Sequence, residues 1–237
     1  MQHIIQGLEA KGYIFLSEYG FRELVIPLRE GLQTPNVFTR LMWVFIMLGF
    51  GWAGITVGYL VGSGQMSVPA FLGWMIAGIP ATLLLVPLHE LLHGWMFRWY
   101  GAKDVRYGVI WRYLMFYAVA HHFPVNFKQF RYIALAPFVV ISLLCLGVYF
   151  WVPAEGKALI TGVYIFHTVC CAGDFGLCAY FNKFKQRQPI SFDDANSHIS
   201  YFYALPEMNL EATPEMPPET KPPVNPEANR TSDAENP

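Results

Sequence analysis

From Leu41 to Leu88 the sequence contains no Asp, Glu, Lys, Arg or His, a run of roughly 48 residues. One bilayer crossing takes about 20 apolar residues, so this run is long enough for two. A second uncharged run, from Ile133 to Ala154, covers about 22 residues. The 237-residue chain is 54% hydrophobic and only 14% charged, with a mean hydropathy of +0.32. That balance suits a membrane protein and not an ordinary soluble domain. The formal net charge of -1 leaves no basic surface for a nucleic acid, and none is expected as a partner.

"GSGQMSVP" divides the first long run with Gly, Ser and Pro. "PAEGK" divides the third apolar segment from the fourth. The expected spans are residues 39–61, 70–100, 131–152 and 158–181. Pro80 and Pro87 lie inside the second, which predicts a kink near His89–His93. Residues 103–130 are rich in aromatic and β-branched side chains but carry Lys103, Arg106, Arg112 and Lys128, too many charges for a span. Val105–Trp111 and Met115–His121 read instead as two short strands. The expected fold class is an all-α integral membrane protein, with four transmembrane helices and a small membrane-associated β-hairpin between spans 2 and 3. Residues 1–38 mix apolar and charged residues without a clean period and read as a cytosolic or interfacial segment. Residues 39–203 form the membrane domain, and 204–237, rich in Pro and Glu, read as a disordered tail.

The basic residues set the orientation. Lys11, Arg22, Arg29 and Arg40 precede span 1, six Lys or Arg lie from Arg98 to Arg131, and Lys183, Lys185 and Arg187 follow span 4. The two opposite loops hold only Lys157. The positive-inside rule then predicts a multi-pass protein with both termini cytosolic. The expected location is the bacterial inner (plasma) membrane. No cleavable signal peptide is expected, and the first span serves as the targeting signal. Cys145, Cys170, Cys171 and Cys178 lack disulfide or zinc-ribbon spacing and read as small buried side chains.

Within span 2, "ATLLLVPLHELLHGWMF" places His89, Glu90 and His93 in an apolar setting. Ionisable groups there are costly and need partners. His89 and His93, four residues apart, share one helix face and can direct imidazole nitrogens at one ion. The intervening Glu is not normally a ligand; beside a zinc ion it serves as the base that takes a proton from the attacking water. This HExxH pattern points to zinc-dependent peptide hydrolysis.

"PLHELLHG" in a span, the aromatic strand-like segment, the span beginning near "ALAPFVV", and "CAGDF" in the last span together resemble the zincin peptidases of the DUF3267 type. That family is distantly related to the site-2 protease group of intramembrane metalloproteases. The resemblance covers residues 70–203 and implies zinc held by His89, His93 and Asp174, with Glu90 as the catalytic base. It also implies a membrane-anchored protein or peptide as substrate. Depth agrees with this set: His93 lies ten residues before Lys103, and Asp174 nine before Lys183. At a rise of about 1.5 Å per residue both fall roughly 14–15 Å below the cytosolic boundary, with His167 about 10 Å deeper.

His167 reads as a histidine hydrogen-bonded between helices, with metal or haem ligation as rival roles. His121 and His122 read as interfacial, solvated residues, and Asp193, Asp194 and His198 as a polar loop able to cap the site. Two other functions compete with the protease. A non-catalytic metal-binding scaffold would keep His89, His93 and Asp174 without needing Glu90. A membrane cytochrome would pair His93 with His167.

Overall fold

The computed structural model describes residues 1–111 and 115–207. The tail from residue 208 onward therefore lies outside the described residues. In chain order the elements are α1 (Gln2–Glu9), β1 (Ile14–Gly20), α2 (Val25–Gln33), α3 (Val37–Gly62) and α4 (Val68–Trp99). They continue with β2 (Val105–Ile110), β3 (Met115–Ala120), β4 (Val125–Asn126), α5 (Phe127–Tyr149), α6 (Ala154–Cys170), α7 (Ala172–Lys183), β5 (Ile190–Asp194) and β6 (Ile199–Ala204).

Four helical stretches are long and apolar enough to cross a membrane: α3, α4, α5 and the α6–α7 run from Ala154 to Lys183. Their outer faces carry bare apolar side chains such as Ile55 and Leu84, 73% and 82% exposed. An apolar exterior of this extent needs a non-aqueous neighbour. The helix starts are capped. Asn36 accepts from the N–H groups of Phe38 and Thr39, while Thr39 Oγ1 accepts from Asn36 N–H, closing a capping box at α3. Asn126 and Gln129 repeat the device at α5.

α4 runs without interruption through Pro80 and Pro87. A break in the helix falls in the fourth span. At Cys171 ψ is 1°, so α6 ends and α7 begins, yet the i to i−4 bonds Cys171 N–H to His167 O and Phe175 N–H to Cys171 O continue on either side. Cys145, Cys171 and Cys178 are buried, whereas Cys170 lies on the outer surface, contrary to expectation.

β2 and β3 form the expected antiparallel hairpin, with Val105 opposite Ala120 and Ile110 opposite Met115. The fold class needs one correction: the protein is mostly helical but carries a second, four-stranded antiparallel sheet in the order β1-β6-β5-β4. The N-terminal strand β1 therefore pairs with the last strand, Ile14 opposite Ala204 and Gly20 opposite Ile199. Ile4, Ile5 and Leu8 of α1 pack on Phe192, Tyr201 and Tyr203 of this sheet. α2 lies so close to α7 that a β-carbon on Gly31 would stand 2.0 Å from the Gly176 carbonyl oxygen.

Candidate active site

Contacts of α4 with α6, with α7 and with α5 bring the chemical groups together. α4 and α6 touch backbone to backbone: a β-carbon on Gly162 would lie 2.1 Å from the Met75 carbonyl oxygen, and one on Gly78 would lie 2.7 Å from Gly162 C. Next to this contact Thr82 Oγ1 donates to the Gly78 carbonyl. The crossing sets the last span against the motif helix. His167, Cys171 and Asp174 then share one face of that span, at helical spacings of four and three, and look toward His89, Glu90 and His93. α5 supplies the third contact, through His93.

His89 Nε2 and His93 Nε2 lie 3.0 Å apart. Asp174 Oδ2 lies 3.3 Å from the first and Oδ1 3.3 Å from the second. The ligand atoms of His89, Glu90 and His93 all fall within 4.8 Å of one another, so the Glu90 carboxylate borders the site. His93 is buried, with 8% of its surface exposed, and His89 and Asp174 are nearly so. Donor atoms separated by 3.0–3.3 Å leave room for an ion at about 2.0–2.2 Å from each, the bond lengths of zinc to imidazole and carboxylate. Two nitrogens and an oxygen are also a donor set of the type zinc takes at hydrolytic sites. The residues present therefore fit a zinc ion.

Each histidine's other nitrogen is engaged. His93 Nδ1 lies 2.9 Å from the Ile133 carbonyl oxygen on α5. A carbonyl only accepts, so Nδ1 carries the hydrogen and the Nε2 lone pair of the neutral ring faces the site. His89 Nδ1 lies 3.2 Å from His167 Nε2. His167 thus sits behind His89, on the side away from Asp174, with Cys171 Sγ 3.7 Å from its Nε2. The pairing of His93 with His167, which a cytochrome would use, is not the arrangement found.

The hairpin lies against the same helix. A β-carbon on Gly94, next to His93, would stand 1.9 Å from the Tyr107 hydroxyl, which accepts a hydrogen bond from Arg98. The other singled-out histidines are elsewhere. His121 and His122 stack at 3.8 Å and meet Asp194 at 3.6 Å each, where β3 joins β5. His121 Nδ1 accepts from Ala195 N–H, and the Asp194 carboxylate accepts from the N–H groups of Asn196 and Ser197. This cluster closes a turn between hairpin and sheet, and is not the solvated surface the sequence suggests. Asp193 beside it is pushed up to about 6 by burial. Sequence reasoning missed Ile133, whose role lies in its backbone carbonyl, and the Gly78–Gly162 contact. Pro137, four residues after Ile133, is the visible signal for the former.

Four long apolar helices, compatible with a multi-pass membrane protein, bring two histidines, the glutamate between them and a distant aspartate close together. Residues 82–188 match the family DUF3267, described as "Putative zincin peptidase". The matched segment runs from α4, ahead of His89, through the hairpin and α5 to just past α7, so it contains every residue of the site. No curated protein and no solved structure matches the chain.

Proposed function

We propose that the protein is a zinc metalloprotease, hydrolysing peptide bonds of membrane-anchored proteins or peptides at a site set among its membrane-spanning helices. The observation that carries this reading is the convergence of His89, His93 and Asp174 at 3.0–3.3 Å, with a Glu90 oxygen within 4.8 Å of both histidines. His89, His93 and Asp174 hold the zinc, which when bound polarises the scissile carbonyl. Glu90 takes the proton of the attacking water and delivers it to the leaving amine. A scaffold that only held metal would have no use for a carboxylate at Glu90.

A peptide bond inside a helix is shielded, so the substrate must be held extended. The β2–β3 hairpin suits that role because it is two-stranded, packs on α4 beside His93, and can add a substrate strand at an edge. This use of the hairpin is the one the likeness to site-2 proteases implies. The distribution of basic residues favours both termini in the cytosol, and the bacterial inner (plasma) membrane is the proposed location.

The experiment is cleavage of a membrane-anchored reporter, labelled on both sides of its span, by the zinc-loaded protein in proteoliposomes. Glu90→Gln leaves the ligands untouched, so zinc content stays at the wild-type level. Cleavage falls by about 10²–10⁴-fold, the range for loss of a general base. Equal cleavage by Glu90→Gln and wild type would overturn the mechanism.

A further inference from the structure

The two histidines of the motif are chemically alike but supported by unlike groups. We infer that His167 and Pro137 are positioning residues, each fixing which nitrogen of one motif histidine faces the metal; this rests on the metalloprotease reading above.

Pro137 acts through the hydrogen bond that it withholds. In α5 the Ile133 carbonyl should accept from the N–H of residue 137, four positions on. Residue 137 is proline and has no N–H. The Ile133 oxygen is thus left without its intrahelical donor inside an apolar bundle, where an unmet carbonyl is costly. His93 Nδ1–H fills the vacancy at 2.9 Å. One position on α5 therefore sets the tautomer of a ligand on α4. Pro137 itself touches no metal or substrate, and acts through Ile133.

His167 meets the matching demand of the other histidine. His89 presents Nε2 toward His93 and Asp174, so its Nδ1 must carry the hydrogen and needs an acceptor. The acceptor within reach is His167 Nε2, at 3.2 Å. That requires the hydrogen of His167 on its own Nδ1; Cys171 Sγ lies beside the ring, 3.8 Å from Nδ1 and 3.7 Å from Nε2. The order is then His167, His89, metal, the first ring passing its orientation to the second. Such outer partners set ligand orientation and basicity, and their loss typically weakens metal binding by about 10–100-fold.

The test is zinc affinity, measured by competition with a chromophoric chelator on the full chain in detergent, alongside the melting temperature of the metal-free protein. His167→Ala is expected to weaken zinc binding by about 10–100-fold while still loading at saturating metal. His167→Gln, whose Oε1 accepts from His89 Nδ1–H, is expected to recover most of that loss. Pro137→Ala restores an N–H to the Ile133 carbonyl in competition with His93. It is expected to weaken zinc binding several-fold while leaving the metal-free melting temperature unchanged or higher. A purely structural role for Pro137 would instead lower both. Wild-type affinity in His167→Ala or in Pro137→Ala, or no recovery in His167→Gln, would overturn the inference. So would a thiolate-to-cobalt charge-transfer band in the Co(II) protein that disappears in Cys171→Ser, since His167 and Cys171 would then be ligands. Zinc binding by wild type without any cleavage would sink the protease reading alone. Wild-type affinity in these variants, with cleavage intact, would sink only the positioning roles.

Discussion

Gly162 stands directly against the Met75 carbonyl, in space that a β-carbon would need: built on Gly162, that atom would lie 2.1 Å from the oxygen. Both partners are backbone, so no side-chain rotation relieves the overlap. Gly162→Ala must separate α4 from α6, and the motif histidines from Asp174 and His167 with them. The expected cost is about 1–3 kcal/mol of stability, the usual range for overpacking, together with weaker zinc binding. Thermal melting with and without zinc checks this. An alanine variant with wild-type melting and zinc affinity would show that the contact does not set the site.

Asp174 and Glu90 should separate binding from chemistry. Asp174→Ala is expected to lose zinc and cleavage together, because two histidines alone fall short of the three protein ligands usual at a catalytic site. Zinc content by mass spectrometry in parallel with reporter cleavage decides it. Full zinc content in Asp174→Ala would remove that residue from the ligand set.

The hairpin's part in presenting substrate can be tested without touching the ligands. Proline at Val109 or Val119 removes a backbone N–H and distorts the strand. Each variant is expected to cut reporter cleavage by tenfold or so while zinc content stays at wild type, in line with loss of one main-chain pairing. Unchanged cleavage from both would exclude strand addition on this hairpin.

Orientation is open to an impermeant thiol reagent in a background without the native cysteines. Cysteine at Ser67 is expected to react from outside intact cells, and cysteine at Lys103 or Lys185 only after permeabilisation. Reaction at Lys103 from outside would reverse the topology.

Asp193 gives the sheet a pH dependence. Burial raises its folded pKa to about 6, above the roughly 3.9 of an unfolded aspartate. Between those values the folded state holds a proton that the unfolded state has released, so stability falls as pH rises through the window. Asp194 is shifted downward, by backbone N–H groups that outweigh its burial, so its favourable contribution is present at neutral pH and lost only on stronger acidification. Asp193→Asn should therefore be more stable than wild type above pH 6, with the difference shrinking toward pH 4. Chemical denaturation across that range checks it, and a pH-independent difference would reject the assignment.

The four apolar helices could be read from the sequence because long uncharged runs have few other uses. The hairpin could be read because its β-branched and aromatic residues were too charged in their surroundings for a span. The second sheet could not, for two physical reasons. β1 carries a bulge: its register shifts between Phe15 and Ser17, so Leu16 breaks the alternation that marks a strand. β6 is buried on both faces from Ser200 to Ala204, so it has no polar side to alternate with. At the site, His89, Glu90 and His93 were legible as a motif, and Asp174 through its depth and family likeness. Ile133 was not, because a backbone acceptor leaves no mark in residue identity except the proline four positions later.

The pairing of β1 with β6 also orders events in time. Residues 14–20 leave the ribosome early, but the strand they must join, residues 199–204, is made only after all four apolar helices. Until then β1 has no neighbour, and its edge is open to wrong pairing. Closing the sheet is therefore a late step with a large sequence separation, the kind of contact that slows folding. A nascent chain released before residue 204 would keep its helices and lose the latch between its two ends.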